Sequence, residues 1–170
     1  MTAHFVIVGL IVLQRLAEMI YDRRNTRRLL AEGGVMVPEP VYPWIVAVHA
    51  GWLVALALAI PADAPVQVPF LLLYLGILAA RLWVMASLGP YWSTRIITLP
   101  GAPLVRKGPY KLIRHPNYAV VAAEIFVAPL IFDAWLIAII FSVLNAAVLY
   151  LRIEREDAVL LARRDKGPGA

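Results

Sequence analysis

Hydrophobic positions in this chain fall into five blocks separated by short polar segments. The blocks run from about Ala3 to Ile20, Pro43 to Ile60, Val68 to Leu88, Tyr118 to Phe132 and Ala134 to Leu151. A helix needs about 20 apolar residues to cross the hydrocarbon core of a bilayer. The blocks are long and show no alternation, which excludes half-buried strands and predicts helices. The fourth block is short and contains Glu124 and Pro129. Only Phe132-Asp133-Ala134 separates it from the fifth, so the two are expected to form a tight hairpin, with a charged helical extension after Leu151. The pattern predicts an all-α integral membrane helical bundle of about five transmembrane helices. Residues 1–170 are expected to form one domain, and internal repeats and low-complexity tracts are not apparent.

Composition supports this reading. The chain is 62% hydrophobic and 16% charged, against the roughly 25% charge of soluble domains, and its mean hydropathy is +0.76. It has no cysteine, which excludes a disulfide framework, a thiolate metal site and a cysteine nucleophile. The first apolar block lacks a basic leader and runs into Gln14, Arg15 and Glu18 without a small-residue cleavage site, so it reads as a retained helix.

The net charge of +5 adds an orientation. Apart from Arg15 and Arg81, every Lys and Arg lies in residues 21–42, 89–117 or 152–170. The connections at Pro61 to Gln67 and at Asp133 have none. Lys and Arg accumulate on the cytoplasmic side, so the N-terminus is expected outside and the C-terminus inside. The basic residues flank apolar spans, which makes anionic lipid headgroups rather than nucleic acid the expected partner.

Two polar clusters fall on that cytoplasmic face. The first is Gly108-Pro109-Tyr110-Lys111-Leu112-Ile113-Arg114-His115-Pro116-Asn117-Tyr118. Pro116 disfavours helix at His115 and suits a first helical turn, so His115 to Tyr118 are expected to begin the fourth helix. A helix start offers unpaired N–H groups and positive potential. The competing reading is a basic juxtamembrane anchor with Tyr110 and Tyr118 in the aromatic belt. The second cluster is Arg152-Ile153-Glu154-Arg155-Glu156-Asp157, where Arg152 and Glu156 share a helix face and Glu154 and Asp157 face elsewhere or border it. Its competing readings are an exposed i,i+4 ion pair and a snorkelling arginine. Convergence of both clusters at the mouth of one hairpin favours a site.

Other polar residues within the spans read as structural. Arg15 and Glu18 are expected to pair with each other, and Arg81 with Glu124 is a possible pair between helices. His49 is expected to make an interhelical hydrogen bond. Three histidines without HxxxH or HExxH spacing give no metal site, and no GxGxxG or Walker A sequence is present.

The two clusters together resemble the signature of the isoprenylcysteine carboxyl methyltransferase family. The likeness extends through Arg15-Leu16-Ala17-Glu18, Arg24-Asn25, Gly33-Gly34, Leu88-Gly89-Pro90-Tyr91-Trp92-Ser93-Thr94 and Leu99-Pro100-Gly101-Ala102, as in a bacterial branch whose members include alkylpyrone O-methyltransferases. The resemblance implies a multi-pass enzyme of a bacterial inner membrane that uses S-adenosylmethionine, with residues 89–170 as the cofactor-binding half. Carried over position by position, it implies that Ala102, Pro103, Leu104, Val105, Tyr110, His115, Pro116, Asn117 and Tyr118 enclose the cofactor. Glu156 would contact it from the last helix, and Arg152 would face the oxygen-bearing group of the acceptor, making Arg152 and Glu156 the catalytic pair. Val120 stands where many relatives have glycine, and the chain lacks their tyrosine-rich tail.

The expected reaction is methyl transfer to a carboxylate or acidic enol of a hydrophobic acceptor, prenylcysteine-like or alkylpyrone-like. Such an acceptor needs no strong base, and a bidentate arginine suits it. The alternatives are a phospholipid or amine N-methyltransferase, and a non-enzymatic membrane scaffold. The sequence gives no oligomeric state.

Overall fold

The computed structural model describes residues 2–102 and 105–165. Five α-helices account for most of them: α1 (Ala3–Ala31), α2 (Tyr42–Leu58), α3 (Val68–Leu88), α4 (Pro116–Leu130) and α5 (Trp135–Asp165). Proline opens α2, α3 and α4, where its missing N–H costs no hydrogen bond. α1, α3 and α5 are long and apolar enough to cross a membrane, while α2 and α4 are shorter apolar helices. Only 17% of the apolar window of α1, and the same of α3, is buried within the protein. Leu10, Leu13, Leu72, Leu82, Leu136 and Val143 point outward instead. An apolar surface on so many sides is what a lipid solvent requires, and the all-α membrane bundle read from the sequence is the architecture observed.

The core lies between the helices. Val8 and Ile11 of α1, Trp52 and Leu56 of α2, Tyr74 of α3, and Val121, Ile125 and Ala128 of α4 pack as one cluster. At one end, buried His4 donates from Nε2 to the Leu56 carbonyl at 2.8 Å, tying α1 to α2. The α4–α5 hairpin is as tight as expected. Asp133 turns it with φ of 58°, a left-handed conformation that aspartate tolerates, and its carboxylate accepts from Trp135 Nε1 at 2.8 Å.

Midway through the bundle, four charged side chains meet. Arg15 donates to Glu18 at 3.1 Å and to Glu124 at 2.8 Å. Arg81 donates to Glu124 at 2.9 Å from Nη1 and to Glu18 from Nε and Nη2. The expected Arg15–Glu18 pair is thus half of a balanced quartet across α1, α3 and α4. The expectation for His49 is corrected. Its Nδ1 bonds the Ile45 carbonyl at 2.8 Å, one turn back in its own helix, where an acceptor is already within reach.

Two further departures position the site. α1 continues past Ile20 to Ala31, because Arg23, Arg24, Arg27 and Arg28 end an apolar run without ending a helix. At ~1.5 Å per residue it is about 43 Å long, well beyond the hydrocarbon thickness. A short antiparallel ladder, absent from the sequence reading, joins β1 (Val35–Met36) to β2 (Ile97–Thr98), pairing Val35 with Thr98 and Met36 with Ile97. Two residues per strand are too few for alternation to register.

Candidate functional site

The projecting end of α1 holds the segment that follows α3. Asn25 donates to the Trp92 carbonyl at 2.8 Å, and Tyr21 donates to the Gly89 carbonyl at 2.9 Å. The Asp22 carboxylate accepts from the Thr94 N–H and from the Ser93 hydroxyl. Trp92 is buried in consequence and stacks on Tyr21, with ring centroids 5.6 Å apart. The Gly108–Lys111 turn then seats on the end of α3. Gly108 has φ of +56°, and any Cβ there would collide with Ser87, so glycine is required for both reasons.

α4 starts where Pro116 placed it, with His115 as its N-cap. The His115 ring stacks on the Tyr118 ring at 5.4 Å and 20°. From α5, the Asp157 carboxylate meets His115 Nε2 at 3.1 Å, and Glu156 lies 3.7 Å from Nδ1. The positive end of the α4 dipole therefore has two carboxylates beside it, the arrangement that such an end favours.

Tyr118 is the centre of the cluster. Its hydroxyl donates to Glu156 and accepts from Arg152 Nε at 3.0 Å. Arg152 and Glu156 are therefore linked through the phenol. They do not form the surface i,i+4 pair that their spacing allows. Arg152 is only 6% exposed, so it does not snorkel. Its Nη2 donates to the Thr94 carbonyl and lies 3.4 Å from Glu39.

His115, Tyr118, Arg152, Glu156 and Asp157 line a cavity of about 670 Å³, together with Trp92, Ala102, Val105, Tyr110 and Asn117. That volume is in the range of small-molecule and cofactor sites. Burial, with Glu156 nearby, pushes the Tyr110 phenol up from its ordinary value, so it stays a neutral donor at physiological pH. Of the positions carried over by resemblance, Ala102, Val105, Tyr110, His115, Asn117, Tyr118, Arg152 and Glu156 line this one cavity. Pro116 is buried at the start of α4, and Pro103 and Leu104 lie outside the described residues.

Sequence reading did not single out Glu39 or Asp22, quoted Asn25 and Trp92 within the family likeness without giving them a role, and left Asp157 at the border of the Arg152–Glu156 face. Glu39 carried one signal: it is an acid between Pro38 and Pro40, outside any helix, on a face otherwise rich in cations.

The described residues thus form a bundle of apolar helices with a polar cavity at one end, lined in part by side chains of its last two helices. The family model of the isoprenylcysteine carboxyl methyltransferase (ICMT) family matches residues 70–162. The Bacillus subtilis (strain 168) "Uncharacterized protein YpbQ" is 35% identical over 162 residues, spanning 92% of this chain and 95% of that protein. No solved structure matches the chain. The chain belongs to the isoprenylcysteine carboxyl methyltransferase family and is a membrane methyltransferase.

Proposed function

We propose that this protein transfers a methyl group from S-adenosylmethionine to an oxygen of a hydrophobic acceptor, on the cytoplasmic face of a bacterial inner membrane. The observation that carries the reading is the Arg152–Tyr118–Glu156 chain of hydrogen bonds in the wall of the 670 Å³ cavity. The cavity suits the cofactor in size, in its aromatic surfaces at Trp92, Tyr110 and Tyr118, and in its acids at Glu156 and Asp157. The bound cofactor supplies a methyl group on a cationic sulfur, ready for in-line displacement. The chain's own residues bind, orient and exclude water. His115, Asn117 and Tyr118 hold the ligand against the start of α4. Glu156 faces its positive charge, with its own position fixed by the Tyr118 hydroxyl. Arg152 directs the acceptor oxygen and is held in place by Tyr118 and the Thr94 carbonyl.

The exposed apolar side chains Trp44 of α2 and Leu151 of α5 lie beside Arg152 and suit an acceptor with a lipid-like tail. An amine acceptor is the second reading, favoured by the acids Glu156 and Asp157 in the cavity and by Glu39 beside Arg152.

Calorimetric titration of the purified protein with S-adenosylhomocysteine tests the cofactor site. Wild type is expected to bind, and His115→Ala or Glu156→Gln to weaken binding by at least about tenfold, or 1.4 kcal/mol. Unchanged affinity in both folded variants would remove these residues from the site.

A further inference from the structure

The Lys and Arg side chains lining the 670 Å³ cavity differ in what surrounds them. Arg152 is held by Tyr118 and the Thr94 carbonyl, with Glu39 at 3.4 Å. Arg114 faces Asp157 at 3.5 Å with its side chain 68% exposed, and Arg106 and Lys111 are exposed. Arg95 is half-buried, and no acid pairs with it among the described residues. Its guanidinium lies over the Tyr42 ring, 3.7 Å from the centroid. A guanidinium held against a ring face keeps its N–H donors in its own plane, so the ring fixes the group without using the fork that grips a carboxylate. The adjoining chain is fixed as well. The Arg95 N–H donates to the Ser93 hydroxyl oxygen at 3.0 Å, that hydroxyl donates to Asp22 at 3.0 Å, and the Tyr42 and Thr94 hydroxyls are 3.2 Å apart. A cation oriented in advance and left without a counter-ion is suited to receive an anionic ligand at little ordering cost.

We propose that Arg95 is the residue that binds the α-carboxylate of the cofactor's amino-acid group. The inference rests on the methyl-transfer reading above and deepens its cofactor site. Charge complementarity selects the ligand group. S-adenosylmethionine carries two cations, a sulfonium and an ammonium, and one carboxylate. The cavity offers the acids Glu156 and Asp157 for the cations, and Arg95 as its half-buried cation without an acid. The start of α4 is the other place suited to an anion, but Glu156 and Asp157 already stand beside His115 there, and a third carboxylate would be repelled. The Arg95 fork gives a carboxylate two charge-assisted hydrogen bonds, which the point charge of a lysine does not reproduce. Arg95 acts in binding and orientation and takes no part in bond making. The projecting end of α1 thereby gains a use, because Asp22 secures the turn from which Arg95 reaches the cavity.

Calorimetry on the purified full chain tests this with two ligands, S-adenosylhomocysteine and its decarboxylated form, which keeps the ammonium and loses only the carboxylate. Wild type is expected to bind the decarboxylated ligand at least about tenfold more weakly. In Arg95→Gln, whose flat amide can still rest on Tyr42, S-adenosylhomocysteine is expected to weaken by a similar factor, and the two ligands to bind within about threefold of each other. Arg95→Lys is expected to fall between wild type and Arg95→Gln. A wild-type preference below about twofold for the carboxylate-bearing ligand would overturn the proposal without any substitution. So would unchanged S-adenosylhomocysteine affinity in Arg95→Gln, or equal losses of both ligands, which would make Arg95 a structural support. Palmitate probes the other source of a carboxylate, the acceptor. Palmitate binding lost in Arg95→Gln with S-adenosylhomocysteine binding retained would assign Arg95 to the acceptor and overturn the proposal too. Failure of wild type to bind S-adenosylhomocysteine would instead sink the methyl-transfer reading.

Discussion

Arg152 gathers three separate parts of the chain: the Thr94 carbonyl after α3, the Tyr118 hydroxyl on α4, and Glu39 before α2. A lysine would retain the charge but could not form this fork of directed donors. Arg152→Lys is expected to lower methyl transfer by roughly 10² while leaving S-adenosylhomocysteine affinity within about twofold. Near-wild-type turnover, followed with radiolabelled cofactor, would reduce Arg152 to an anchor. His115, Tyr118, Arg152 and Glu156 were legible because two dense polar clusters bracketed one apolar hairpin. Glu39 was not, since its partners Ile96 and Arg152 are remote in sequence and no spacing rule links them. Asp157 was placed at the border of the Arg152–Glu156 face. It still reaches His115, because the start of α4 packs against α5 at that height.

At the scale of elements, hydropathy located all five helices but missed the end of α1. Hydropathy measures where lipid stops, and the helix continues into water as a scaffold for the Trp92–Thr94 segment. The quartet was half legible: its members were visible as charges within spans, whereas their common meeting point depends on helix register. Glu124→Leu removes the carboxylate that Arg15 and Arg81 share, leaving two buried guanidinium groups on Glu18. Loss of one partner from such a buried network is expected to cost about 3–5 kcal/mol. Thermal unfolding in mild detergent measures it, and a melting temperature unchanged from wild type would show that the quartet does not hold the bundle together.

For the whole molecule, charge decides orientation. Every Lys and Arg outside the spans falls in residues 21–42, 89–117 or 152–170, segments that contain the Arg152 site and the cation-rich turn from Arg106 to Arg114. Tags at residue 1 and near residue 64 are expected to be reachable from outside intact cells, with a tag at residue 170 protected. External labelling of the C-terminus would put the proposed cofactor site on the wrong side for a cytoplasmic ligand.

The quartet also bears on how the chain is made. α1 and α3 are synthesised before α4, and with Glu18 alone they carry two guanidinium groups against one carboxylate in hydrocarbon. Glu124 balances the charge only when α4 arrives, on a helix of 15 residues that is short for crossing a membrane by itself. Its hairpin partner α5 is long and strongly apolar, so the two are suited to enter together. A chain holding only α1 to α3 is therefore expected to carry one uncompensated cation, which the last hairpin neutralises through Glu124.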